Sequence, residues 1–261
     1  MTLVASDLRK DRLDTLVVRS GILSSREQAA RYILAGRIRV DGVVVDKPGK
    51  SVSSQASIEL QPPENQYVSR AGDKLAAALD EFAVSCTDLT VMDVGASTGG
   101  FTACLLQRGA RRVYAIDVGY GQLEWHLRTD PRVVVMDRVN VRHLQPEDIP
   151  DSPALAVIDV SFISLRLVLP AVLSILQKEA TVIALFKPQF EVGKGQVGKG
   201  GIVRNESLRQ QVLSDFLTYT EKAGLNLVGV LDSPVLGKKG NREVLVVLKK
   251  SGPYAGPVLP Q

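Results

Sequence analysis

Residues 91–101 read Val91-Met-Asp93-Val-Gly95-Ala96-Ser97-Thr-Gly99-Gly100-Phe101. An apolar run carrying one acid and emptying into closely spaced glycines reads as a buried strand that turns sharply into a helix. Outward from this turn the pattern repeats. Residues 112–117, 133–137, 155–160, 181–187, 225–231 and 243–248 read as further strands. Residues 72–84, 99–108, 122–128, 164–176 and 206–223 read as helices. This alternation predicts an α/β fold: a doubly wound, seven-stranded, Rossmann-like sheet over residues 70–261. In such sheets ligands sit beyond the carboxyl ends of the strands.

The glycine turn therefore marks a ligand site. A dinucleotide fold places a glycine where Ser97 stands, and gives no reason for Asp93 at the strand end. S-adenosylmethionine (SAM) has no pyrophosphate, and its amino-acid end and sulfonium suit an acid beside the turn. Asp117-Val118 ends the next strand, where a carboxylate can hold ribose hydroxyls. Asp137-Arg138-Val-Asn140 ends the third and offers polar groups to an adenine. The predicted cofactor is SAM, held by Asp93, Gly95, Ala96, Ser97, Gly99, Gly100, Phe101, Asp117, Val118, Asp137, Arg138, Asn140 and Asp159. A second glycine-rich stretch, 193–200, nearly matches a triphosphate loop, but Gly200 occupies the position of the magnesium-holding Ser or Thr. It reads as a loop over the active site.

Four charged residues fall at matching places: Lys74 at the opening of the first helix, Asp159 and Lys187 at the ends of the fourth and fifth strands, and Glu243 at the opening of the last. Asp159 and Lys187 interrupt apolar runs, which is costly unless they are paired or used. A lone pair of this kind reads as a structural salt bridge; four together point to chemistry.

The first fifth of the chain differs from the rest. Residues 1–50 carry ten Lys/Arg and six Asp/Glu, while residues 51–261 carry 22 of each. All of the excess positive charge lies there, as in an appendage that meets a polyanion. Leu13, Leu16 and Val17, followed by Ile22 and Leu23, predict a short helix ending near Gly21. Ser24 or Ser25 caps a second helix to Ala35, with Ala29, Ile33 and Leu34 on its apolar face. Ile38 to Val40 and Val43 to Val45 flank Asp41-Gly42, a hairpin signal, and residues 57–60 read as another strand. The domain plan is a small α+β unit over 1–60, a polar linker over 61–69 and the large domain over 70–261.

Composition excludes other classes. The two cysteines, Cys86 and Cys104, build neither a disulfide framework nor a four-thiolate zinc site, and the two histidines leave little room for a metal centre. No metal is expected. The longest apolar stretch, 167–176, falls far short of the ~20 residues that span a bilayer. The opening residues lack the pattern of an export signal, so a cytoplasmic location and no membrane role are expected.

Residues 12–49, RLDTLVVRSGILSSREQAARYILAGRIRVDGVVVDKPG, resemble the S4 RNA-binding module. The resemblance implies an RNA-binding surface of Arg12, Arg19, Arg26, Arg31, Arg37 and Arg39, side chains whose planar forks suit phosphate. Beyond the module, VSRAGDKL, DVGASTGGF, DVGYGQL, DPRVVV, DVSFISL, KPQFEVGKGQVG and GNREVLVVL follow in an order similar to the TlyA family of RNA 2′-O-methyltransferases, often called haemolysin A, and to FtsJ-like methyltransferases more broadly. That resemblance implies a catalytic Lys-Asp-Lys-Glu set at Lys74, Asp159, Lys187 and Glu243. It also implies ribosomal RNA or ribosomal subunits as partner, with cytidine ribose methylated in the large-subunit RNA and, in some members, the small-subunit RNA. Gln66-Tyr67 stands where some relatives carry Arg-Ala-Trp. In this reading Lys187 is the base, Lys74 the neighbouring cation that eases its deprotonation, and Asp159 and Glu243 orient the two amines. Two other readings compete: an RNA-binding protein without catalysis, and a membrane-active haemolysin.

Overall fold

The computed structural model describes residues 10–23, 25–61, 67–193, 195–198, 200–237 and 240–252. Ser24, linker residues 62–66, and Lys194 and Lys199 of the glycine-rich loop lie outside the described residues. The chain divides into two compact units, Met1–Glu64 and Asn65–Gln261.

In the first unit, β1 (Lys10–Arg12) leads into α1 (Leu13–Arg19) and α2 (Arg26–Leu34). The Ser25 hydroxyl caps α2 by accepting the Gln28 N–H at 3.2 Å. Next come β2 (Ile38–Val40), β3 (Val43–Val44), β4 (Ser51–Ser53) and β5 (Ile58–Leu60). Strands β3, β2 and β5 form one antiparallel sheet, and β1 pairs with β4. The β2–β3 hairpin turns on Asp41 and Gly42, with φ of 50° and 79°, the left-handed pair that a two-residue turn of this kind requires. Leu13, Val17, Ala29, Ile33 and Ile38 are fully buried in the core of this unit. The expectation for Leu34 fails: it is 68% exposed. At ~100° per residue it lies about 140° round the helix from Ala29, and Tyr32 takes the inward place. The run at 43–45 contributes only two strand residues, both exposed, while Val45 turns into the core.

The second unit opens with α3 (Ala71–Glu81). It continues through β6 (Thr90–Val94), α4 (Gly100–Gln107), β7 (Arg112–Asp117), α5 (Trp125–Arg128), β8 (Val133–Asp137), β9 (Leu155–Ile158) and α6 (Leu165–Ile175). It ends with β10 (Glu179–Phe186), α7 (Pro188–Glu191), α8 (Glu206–Lys222), β11 (Leu225–Asp232) and β12 (Val244–Ser251). The seven strands lie in the order β11-β12-β10-β9-β6-β7-β8. Pairings from β10 through to β8 are parallel; β12 runs antiparallel to both β10 and β11. Side chains alternate across the sheet. Val91 packs into one apolar layer with α3 and α4, and Met92 and Val94 into the opposite layer with α6 and α8. The helix expected over 122–128 forms only from Trp125, because Glu124 is extended at ψ 142°. Leu123 is instead buried, in the place a side chain at Gly99 would fill.

The chain places β9 on the far side of β6 from β7, so the winding reverses between β6 and β9. A crevice opens beyond that pair of strand ends. The reversal of β12 has a second consequence. It brings the start of β12, where Glu243 lies, to the edge at which β9 and β10 end, with Val244 opposite Phe186.

Candidate functional site

The turn from β6 into α4 is tightly packed against protein. A Cβ on Gly95, whose φ is +86°, would stand 2.6 Å from the Asp159 carbonyl oxygen. One on Gly100 would stand 2.2 Å from Ser69 Oγ. The glycines thus let the turn seat against the end of β9 and against α3, which shapes the crevice wall; sequence alone assigns that closeness to a ligand. Asp93 is fully buried and accepts from Thr102 Oγ1 at 2.6 Å, across to α4. Its Oδ1 has no hydrogen-bond partner, and burial pushes its carboxyl up to about 7.

Two cavities flank the turn. One, of about 410 Å³, is lined by Ser69, Arg70, Lys74, Gly95, Ala96, Ser97, Gly100, Phe101, Asp159, Ser161, Phe162, Lys187, Phe190, Asn241 and Glu243 among others. The other, of about 440 Å³, is lined by Gly95, Ser97, Asp117, Val118, Val139, Asn140, Val141, Arg142, Asp159, Ser161 and Phe162 among others. Both are of small-molecule size, and Gly95, Ser97, Asp159, Ser161 and Phe162 belong to both. Asp93, Gly99, Asp137 and Arg138 line neither. Asp137 is taken up by Arg128 and by the Gly121 N–H at 3.1 Å, and Arg138 stacks over Tyr120 with 4.3 Å to the ring centroid.

The walls of the second cavity fit a nucleoside with a cationic tail. Val118, Val139 and Val141 supply apolar contact, and Asp117 and Asn140 lie beside them. Asp117 accepts the Ser97 N–H at 2.8 Å and the Gly119 N–H at 2.7 Å, bonds that fix its carboxylate. Asp117 is placed to hold ribose hydroxyls, and Asp159 to attract a sulfonium or an ammonium. The residues present therefore fit SAM.

The four charged residues expected to act together all line the first cavity, as two ion pairs. Lys74 Nζ donates to Glu243 Oε2 at 2.5 Å, and both side chains are buried. Lys187 Nζ lies 2.5 Å from Asp159 Oδ1, and also donates to the Val160 carbonyl at 2.9 Å and Ser161 Oγ at 3.1 Å. Those three acceptors match the three N–H bonds of an ammonium.

Sequence reasoning does not single out Phe162 or Ser161. Phe162 has φ of +66° and is 91% exposed. An apolar side chain inside DVSFISL gives no signal apart from core, and only its exposure reveals it. Asn241 is another: it is buried in the wall, where it accepts the Val203 N–H at 3.3 Å and donates to the Gly201 carbonyl at 2.9 Å. Among the described residues no group of three or more His, Cys, Asp and Glu side chains could hold a metal ion, and no helix is long and apolar enough to cross a membrane.

In the first unit the six arginines keep exposed surface, and several have internal partners. Arg12 grips Asp14 with two bonds, 3.1 and 2.8 Å, and Arg26 reaches the same carboxylate at 3.1 Å. Arg12 first, then Arg26 and Thr15, hold the Asp14 carboxyl well below the usual range. Arg19 pairs with Asp11 at 2.6 Å. Arg31 and Arg37 lie over the Tyr32 ring, and Arg39 donates to the Gly42 carbonyl at 3.3 Å. Asp14 thereby orients a pair of forks whose side chains remain more than half exposed.

Comparison with known proteins gives two family matches: an FtsJ-like methyltransferase over residues 67–250 and an S4 domain over residues 11–58. The 16S/23S rRNA (cytidine-2'-O)-methyltransferase TlyA of Mycobacterium tuberculosis (strain H37Rv) is 46% identical over 92% of this chain and 90% of its own. The putative rRNA methyltransferase YqxC of Bacillus subtilis is 45% identical over 94% and 87%. Among solved structures, a putative hemolysin from Streptococcus thermophilus superposes with a TM-score of 0.71 at 42% identity, over 96% of this chain and 93% of that one.

Proposed function

The chain belongs to the FtsJ-like methyltransferase family, in the S4-bearing TlyA branch, and from that premise we propose that it methylates the 2′-hydroxyl of cytidine in ribosomal RNA, with SAM as donor. The large-subunit RNA is the expected substrate, and the small-subunit RNA a second one; the reaction belongs to the cytoplasm, where ribosomes are assembled. One observation carries the reading. Lys74, Asp159, Lys187 and Glu243 come from four separate elements and meet in the wall of one cavity, beside the glycine turn.

SAM would lie across Asp117, Val118, Asn140, Gly95, Ser97 and Asp159, and when bound it supplies an electrophilic methyl carbon on a sulfonium leaving group. The rest of the chemistry falls to the chain. A ribose hydroxyl is a poor nucleophile and must lose its proton as it attacks. Lys187, once its ammonium has released a proton to solvent, takes that proton as a neutral amine: the sugar O–H bond breaks, an N–H bond forms, and the restored ammonium finds its acceptors in Asp159, Val160 and Ser161. Asp159, which lines both cavities, holds this amine between nucleophile and donor, and proximity then does much of the remaining work. Lys74 and Glu243 form the opposite pair and fix the charge balance of the wall. Arg12, Arg19, Arg26, Arg31, Arg37 and Arg39 hold phosphates, with Asp14 pre-orienting Arg12 and Arg26.

The test is transfer of a tritiated methyl group from SAM to rRNA of a strain lacking the gene, followed by mapping of the labelled nucleotide. Label on a cytidine ribose is the expected result. Tight SAM binding without any transfer to rRNA would remove the assignment.

A further inference from the structure

Two short segments meet beside Lys187. The first, residues 159–164, joins β9 to α6; the second, residues 187–191, is Lys187 with α7. At one end the second segment donates: Lys187 Nζ reaches Asp159, the Val160 carbonyl and Ser161. At the other end it accepts. Glu191 takes the Ser164 hydroxyl at 2.6 Å on Oε2 and the Leu165 backbone N–H at 2.7 Å on Oε1. Midway, the rings of Phe162 and Phe190 meet with centroids 5.2 Å apart. A cation fastens one end of the contact and an anion the other.

The first segment needs such fastening. Phe162 at φ +66° occupies the left-handed region, which a non-glycine residue holds only where its surroundings impose it. Its 91% exposure means that burial of the ring does not impose it. Glu191 is well placed to do so. It supplies an acceptor to a free N–H at the start of α6, where negative charge is favoured, and Ser164 completes the cap by accepting from the Arg166 N–H at 3.1 Å. Burial raises the Glu191 carboxyl from its ordinary range, offset in part by those two donors. Glu191 lines neither cavity, so it acts through other groups.

We propose that Glu191 is a positioning residue for methyl transfer: by fixing Ser164 and Leu165 it sets the 159–164 segment so that Asp159, Val160 and Ser161 meet Lys187. This rests on, and deepens, the reading of Lys187 as the base. A cap that served folding alone would have the same contacts, and kinetics separate the two.

In the full-length chain, Glu191→Ala is expected to lower kcat about 10- to 100-fold, the scale of a misplacement near 1 Å, with SAM affinity by calorimetry and KM for rRNA within about 2-fold. Glu191→Gln keeps an acceptor for the Leu165 N–H and an amide that donates to the Ser164 oxygen, and should restore kcat to within about 3-fold. A loss of melting temperature in Glu191→Ala with kcat unchanged would overturn the proposal. Should Glu191→Ala not fold, Ser164→Ala takes its place, with a kcat lowered several-fold expected and an unchanged kcat contradicting. Full activity in Lys187→Ala would instead overturn the base reading, whereas full activity in Glu191→Ala beside an inactive Lys187→Ala would remove the positioning role alone.

Discussion

Replacing Lys74 with methionine tests whether the Lys74–Glu243 pair belongs to the chemistry or only to the fold. The two side chains are 10% and 4% exposed, and their charged atoms lie 2.5 Å apart. Removing one partner leaves a buried, uncompensated carboxylate, at a cost of about 3–5 kcal/mol. For a unit of this size each kcal/mol lowers the melting temperature by roughly 2–4 °C, so Lys74→Met should melt about 6–20 °C below the parent. Replacing both partners with apolar residues of similar volume removes the stranded charge. Lys74→Met combined with Glu243→Met should regain the parent melting temperature to within a few degrees. Scanning calorimetry reads the stability and tritiated-methyl transfer to rRNA reads the activity. The two readouts should part: the double variant is stable and inactive. A double variant that is stable and fully active would show the pair to be a structural salt bridge. A single variant as stable as the parent would show that the pair is not a coupled buried unit.

Two further predictions rest on titration and charge. The Asp93 carboxyl lies at about 7 in the folded protein against an ordinary 3.8, because burial disfavours its charge. Between those values the folded state binds more protons than the unfolded one, so stability falls as pH rises through this window and levels off above it. Asp93→Asn should flatten that slope in melting curves recorded from pH 4 to 8; an unchanged slope would assign the pH dependence to other groups. In the S4 unit, Arg12→Ala and Arg26→Ala should each weaken rRNA binding and reduce the magnitude of the log–log salt slope by about 0.7–0.9 for each phosphate left without its arginine, measured by filter binding across a salt series. An unchanged slope would mean that these arginines serve Asp14 and not the nucleic acid.

Much of this architecture is legible in the chain because the central strands are buried on both faces, so Val91–Val94, Leu155–Ile158 and Val182–Phe186 stand out as apolar runs between glycines and charges. Two of the four charged site residues, Asp159 and Lys187, stand out for the same reason, because they break such runs. Which charge pairs with which is not legible. Lys74 and Glu243 are 169 residues apart, and their meeting depends on the reversed direction of β12, which residue composition does not encode. The β1–β4 pairing escapes sequence reasoning because Lys10-Asp11-Arg12 is polar and its partner lies about forty residues on. Asp93 reads as facing a ligand because it interrupts a strand near a glycine turn. Strand alternation instead sends its side chain to the layer of α4, where Thr102 receives it. Leu34 misleads when its hydrophobicity is counted without its angular position on the helix.

The central claim is that Lys187 takes the ribose proton. The most direct measurement is a single-turnover assay of Lys187→Ala and Lys187→Arg on rRNA, with nucleoside mass spectrometry of the product and calorimetry of SAM binding on the same preparations. Both variants should bind SAM as the parent does and yield no 2′-O-methylcytidine, since alanine has no base and arginine stays protonated. Methylation by folded Lys187→Ala at the parent rate would contradict that role.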